Sequence, residues 1–258
     1  MRAFIWIVVF LVGVAAIVLP STYMYAAADL PRLESEFDLE THLRLSVEGE
    51  RMSGRAGVIQ KGSRSPKFEK PDFAKLPTDL VALYISAAGC PTFFQTQRED
   101  GPRWLMRLAY SLMNKGMPGD GECERYLALR LAVTLGVKTD MEQTVAAHKL
   151  HAFLQRDQLI AWDMATMLFD RGVVGVEDAA WELYKKPPAE MSLAELAEFS
   201  LVLPINGGYY FDLKTCRNGA LIKQNRDGIL RRLEAHALVT PERARAATEA
   251  PVACLLVK

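Results

Sequence analysis

Apart from Arg2, charged residues enter this chain late. Residues 3–28 (AFIWIVVFLVGVAAIVLPSTYMYAAA) carry no charge, and residues 3–19 form an unbroken apolar run. Roughly 17 to 25 apolar residues suffice to cross a bilayer as a helix, so residues 1–28 are predicted to be a cytoplasmic tip and a transmembrane anchor. A cleavable signal peptide ending at Ala26-Ala27-Ala28 is the competing reading. The length of the stretch and the belt-like placement of Tyr23 and Tyr25 favour the anchor. Arg2 precedes the run and no Lys or Arg follows until Arg32. The positive-inside rule then leaves the N-terminus in the cytoplasm and the rest of the chain outside it.

Beyond the run, Leu43, Leu45 and Val47 alternate with Arg44, Ser46 and Glu48. Period two predicts a short half-buried strand, with residues 56–60 pairing back as a small β-hairpin near the membrane. Residues 61–77 hold Gly, Ser, three prolines and five basic side chains, the composition of a solvated connector. The expected organisation is therefore a juxtamembrane segment at 29–75 and a main domain at 76–258.

The main domain reads as mainly α. Trp104, Leu105, Leu108, Ala109, Leu112 and Met113 repeat as one buried helix face, with Gly116 as its stop. Thr139 with Glu142, and Ser192 with Glu195, are capping-box pairs, so helices are expected to start near 140 and 193. Pro204 closes the second. A helix over about 220–237 is expected to turn Leu221, Ile229, Leu230 and Leu233 inward, and Thr240-Pro241-Glu242 opens the last one.

Composition narrows the function classes. Of 258 residues, 50% are hydrophobic, and 31 basic side chains balance 31 acidic ones. That allows a sizeable core and argues against a polycation, so no nucleic-acid partner is expected. The four cysteines, Cys90, Cys123, Cys216 and Cys254, are widely spaced without a C-x-x-C pair; disulfides are possible, their pairing is left open, and structural zinc is disfavoured. His148 and His151 could share a helix face, but no third ligand is near in sequence, so neither a metal nor another cofactor is expected. Cys90 reads as a small buried thiol before it reads as a nucleophile.

Two stretches carry a resemblance. "GVEDAAWELYKKPPAEMSLAELAEFSLVLP" (175–204) and "NRDGILRRLEAHALVTPERARAATEAPV" (225–252) look like the C-terminal half of the family 51 glycosyltransferases. These are the peptidoglycan transglycosylases of class A penicillin-binding proteins and monofunctional transglycosylases. Gly175, Val176, Ala179, Ala180, Lys186, Leu193, Ala194, Glu195, Ala197, Arg226, Leu230, Thr240 and Pro251 match its pattern. "DLPRLES" and "KLPTDLVALYISA" extend the resemblance forward, so that it covers most of residues 1–252. No penicillin-binding domain is expected after Lys258. The resemblance implies a lysozyme-like, two-lobed fold.

It also implies where chemistry would sit. Setting the family's E-D-x-x-F-Y on Phe93-Phe94 puts Gly89 at the glutamate held to act as general base and Cys90 at the aspartate. The G-G-S-T-I-T-Q-Q-L-x-K-N motif falls on "GDGECERYLALR" (119–130), where Gly119 and Leu127 fit and the hydroxyls and glutamines do not. The R-K-x-x-E segment lands on residues 139–143, with Gln143 at its glutamate, and Y-L-N lands on Asp163-Met164-Ala165. Glycine can neither take nor give a proton. A positioned base is worth about 10² to 10⁴ in rate, and a charge clamp on a leaving phosphate is of similar order.

The expectation is therefore a pseudo-transglycosylase. It would be a single-pass inner-membrane protein with its main domain periplasmic, binding a cell-envelope partner protein, a glycan strand or lipid II without polymerising it. The lipid bilayer is its other partner. Phe93, Phe94, Glu99, Asp100, Glu122, Glu124, Arg125 and Tyr126 are the candidates for lining what remains of the groove. The alternative is a divergent active glycosyltransferase polymerising lipid II or a related polyprenyl-linked sugar, in which Glu99, Glu122 or Glu124 supplies a relocated carboxylate.

Overall fold

The computed structural model describes residues 21, 23–28, 30–52, 70–95, 123–169, 173–206, 213 and 215–253, with the backbone alone at 48–52. After a helical stretch at 23–28 come α1 (Glu36–Met52), α2 (Thr78–Ala87), α3 (Cys123–Thr134), α4 (Asp140–Phe153) and α5 (Arg156–Thr166). They are followed by α6 (Val176–Tyr184), α7 (Leu193–Phe199), α8 (Gly219–Ala235) and α9 (Pro241–Glu249). Among the described residues there is no strand, and an isolated antiparallel bridge joins Leu168 to Val174.

The mainly α expectation holds, and the hairpin does not. Leu43, Leu45 and Val47 lie on α1, a 17-residue helix. Its buried stripe is Leu39, Leu43 and Val47, four apart, while Leu45 is 61% exposed. Five residues of alternation fit both a strand and the edge of a helical stripe, and Leu39 decides for period 3.6. The Ser35 hydroxyl oxygen accepts from the Asp38 N–H at 3.2 Å, a cap that opens the helix. The expected pairing strand, 56–60, lies outside the described residues, as does the expected helix at 104–113.

Both capping boxes form. Thr139 accepts from the Glu142 N–H and Ser192 from the Glu195 N–H, each answered by the glutamate side chain, so α4 and α7 begin where expected. The cap of α9 is Thr240, with Pro241 at its first position. On α8 the inward stripe is Ile222, Arg226, Ile229, Leu230 and Leu233, whereas Leu221 is half exposed. The helix starts directly after Asn218, which is left-handed, and this rotates Ile222 inward in place of Leu221.

Two apolar clusters share a wall. In one, α2, α7 and α8 pack together through Leu80, Leu83, Phe199, Ile222 and Leu230. In the other, Leu39 and Leu43 of α1 meet Leu131, Leu150, Leu159 and Trp162. Helices α3 and α5 serve both: Leu127 and Ile160 face the first cluster, Leu131 and Trp162 the second. Each fully buried large apolar side chain stabilises by about 1.5–3 kcal/mol relative to exposure.

Polar anchors tie the C-terminal elements. Arg226 and Glu198 form an ion pair at 3.0 Å with both side chains wholly buried. Arg226 also donates to the carbonyls of Thr248, Ala250 and Pro251, and Glu198 accepts from the Ala253 N–H. Lys186 pairs with Glu195 at 2.8 Å. Gly175 has φ +87°, and a Cβ there would sit 2.8 Å from the Ala165 carbonyl oxygen, so no other residue fits without a backbone shift.

The apolar run at 3–19 lies outside the described residues. Among those described, no helix is long and apolar enough to cross a membrane. The helical stretch just after the run docks on α4, where the Tyr23 phenol oxygen lies 3.2 Å from His148 Nδ1.

Candidate functional site

The turn after α2 explains its glycine locally. The Gly89 N–H donates to Ser86 O at 3.1 Å and the Cys90 N–H to Ile85 O at 2.8 Å, the paired bonds of a Schellman stop. The residue between them must be left-handed, and Gly89 has φ +72°. A Cβ at Gly89 would have nothing within 4 Å. Backbone conformation, not crowding, is what favours glycine there.

Cys90 is neither a reactive thiol nor a free one. It is bonded to Cys123, with the two Cα atoms 5.8 Å apart and both residues buried. This staples the end of α2 to the first residue of α3. Cys216 is disulfide-bonded as well.

Beside the staple, Phe93 is buried and Phe94 is half exposed. The two rings meet edge to face at 5.1 Å, and Phe94 also meets Phe73 at 6.2 Å. Arg156, at the start of α5, donates from Nη1 to the Phe93 carbonyl at 3.0 Å and from Nε to Glu124 at 3.0 Å. Its guanidinium carbon lies 5.6 Å from the Phe93 ring centre. The other Glu124 oxygen is 3.2 Å from His151 Nε2. Glu124 is therefore a buried carboxylate held between two nitrogen partners, an arrangement that favours an ion pair over a base open to a substrate hydroxyl. Arg125 is buried, and Tyr126 packs half-buried on the first cluster.

A second polar group crosses the wall between the clusters. The Tyr84 phenol donates to Asp163 Oδ2 at 2.5 Å, and Arg130 Nε donates to Asp163 Oδ1 at 3.2 Å. Burial, then the Asp163 charge, push the Tyr84 phenol well above its ordinary range. Burial works against the Arg130 charge, but Asp163 and the phenols of Tyr84 and Tyr126 outweigh it and hold the guanidinium above its ordinary value.

The remaining expected positions are dispersed. The Gln143 amide donates to the Val137 carbonyl at 3.1 Å, at the start of α4. Met164 is in the first cluster, and the Ala165 carbonyl lies against Gly175. Glu99, Asp100, Gly119 and Glu122 lie outside the described residues. His148 and His151 diverge to Tyr23 and Glu124, and among the described residues no three His, Cys, Asp or Glu side chains gather to hold a metal.

Three of the residues that organise this region, Arg156, Tyr84 and Arg130, are absent from the sequence-based site. Arg156 is 32 residues from Glu124 and 63 from Phe93, so no spacing rule links them. Tyr84 sits inside an apolar run, where its hydroxyl is the available signal: a buried phenol needs a partner.

No protein-family model matches the chain. Over 183 residues, 69% of its length, it is 25% identical to a protein named penicillin-binding protein 1A from Rickettsia bellii (strain RML369-C). The matched part spans 22% of that relative's length. The match points the same way as the motif resemblance.

Proposed function

We propose that this chain is a peptidoglycan-related protein of the bacterial cell envelope that keeps a transglycosylase-like, two-lobed scaffold and does not polymerise lipid II. The observation that carries the reading is the Gly89-Cys90 turn. The position that the resemblance assigns to the general base is a helix-stop glycine without an acid group, and its neighbour is closed in a buried disulfide. The similarity to a penicillin-binding protein supports the peptidoglycan assignment. Glu124, the described candidate for a relocated carboxylate, is engaged by Arg156 and His151.

In this reading residues 1–28 anchor the chain in the inner membrane, 29–75 form a juxtamembrane segment and 76–258 a periplasmic domain that binds a partner protein, glycan or lipid II. The disulfide supports an oxidising compartment, because such bonds persist outside the cytoplasm. The test is incubation of the detergent-solubilised, disulfide-bonded protein with labelled lipid II and a divalent metal. No glycan chains are expected; chains formed at the rate of an ordinary transglycosylase would establish the divergent enzyme instead.

A further inference from the structure

We propose that Arg130 and Tyr126 form an oxyanion-binding site on the outer stripe of α3. The two residues are four apart, on one face of the helix, and the guanidinium carbon lies 5.8 Å from the Tyr126 ring centre. Arg130 Nε is committed to Asp163, whose side chain is 3% exposed and also receives the Tyr84 phenol. That contact fixes the orientation of the guanidinium from behind, so an arriving ligand has less side-chain freedom left to freeze. The arginine side chain nonetheless keeps 22% of its surface.

A purely structural role for Arg130, neutralising a buried Asp163, accounts for Nε. It does not account for the exposed part of the guanidinium that lies over the Tyr126 ring. Among the described residues Arg130 has no carboxylate partner besides Asp163. The guanidinium lies over the Tyr126 ring, so the phenol O–H can donate beside it. A fork of guanidinium N–H groups beside a phenol O–H matches the oxygens of a phosphate or a carboxylate. Because Asp163 already offsets the arginine charge, recognition depends on this hydrogen-bond geometry more than on net attraction. Affinity for a small free anion is expected in the millimolar range, about −4 kcal/mol.

The inference rests on the binding reading above only for the origin of the natural ligand, and the probes separate two origins. Inorganic phosphate stands for a phosphate-bearing molecule and acetate for a carboxylate-bearing one. Each is titrated calorimetrically into the full disulfide-bonded chain at constant ionic strength. One of the two is expected to bind saturably, and the tighter identifies the class. Tyr126→Phe, which leaves the Arg130–Asp163 pair in place, is expected to weaken binding roughly ten-fold, the loss of one charge-assisted hydrogen bond. Arg130→Lys keeps a cation for Asp163 but removes the fork and is expected to weaken it at least as much. Binding of neither anion, or equal binding by the parent and both variants, overturns the site. Glycan synthesis from lipid II would overturn the proposed function and leave this site standing; anion binding that fails in a polymerisation-dead protein does the reverse.

Discussion

The C-terminal elements α6 to α9 and the region of α2, α3 and α5 use their polar residues differently. In the first, residues that match the glycosyltransferase pattern hold backbone. Arg226 gathers three carbonyls and Glu198, Lys186 meets the capping Glu195, and Gly175 admits the Ala165 carbonyl. In the second, positions that the resemblance assigns to chemistry hold a helix stop, a disulfide and two part-buried ion pairs. The matched residues of the first region are ones whose loss would disturb the chain path. Scaffold and site are separable in this way because function lives in sites carried on a fold.

The sharpest way to break the comparison is at its C-terminal side. Arg226→Ala leaves Glu198 charged, buried and unpaired, and should lower unfolding free energy by about 3–5 kcal/mol in a denaturant titration. On the other side, replacing both Cys90 and Cys123 by Ala should cost about 2–4 kcal/mol. Because reductant also opens the bond at Cys216, a loss that vanishes when parent and variant are compared under reductant would be assigned to the Cys90–Cys123 crosslink. If the cysteine pair costs more than Arg226→Ala, the assignment of the stronger structural role to the C-terminal side is wrong.

Gly89→Glu restores the acid that the resemblance would require. It should destabilise by about 1–2 kcal/mol, the cost of a side chain in the left-handed region, and produce no glycan from lipid II. The smallest effect concerns pH. Burial, then neighbouring His151, hold His148 below its ordinary value. The folded state therefore disfavours the proton, and this contribution to stability is complete above the unfolded pKa of about 6.5. It should fade as pH falls from there toward the folded value. His148→Gln should remove that part of the slope between about pH 7 and 5, measured by denaturation at each pH.

How legible the molecule is from its sequence depends on whether the cause is local. Thr139, Ser192 and Thr240 act on amides within three residues of themselves, and the helices they cap start as expected. Leu43, Leu45 and Val47 mislead because so short an alternation, weighed without Leu39 and the Ser35 cap, fits either period. Cys90 could not be paired from spacing, since any cysteine near it in space was eligible. Arg156 and Tyr84 find their partners across 32 and 79 residues, by helix packing that no window along the chain contains.

The Cys90–Cys123 bond also decides what a protease can separate. A single cut anywhere in residues 91–122 leaves both fragments joined through the bond, so the nicked molecule would migrate as one species until a thiol is added. Release of the N-terminal piece then requires two events, backbone cleavage and reduction. In a compartment that keeps disulfides oxidised, the first alone does not detach α3 and the later helices from the segment that leads back to the apolar run.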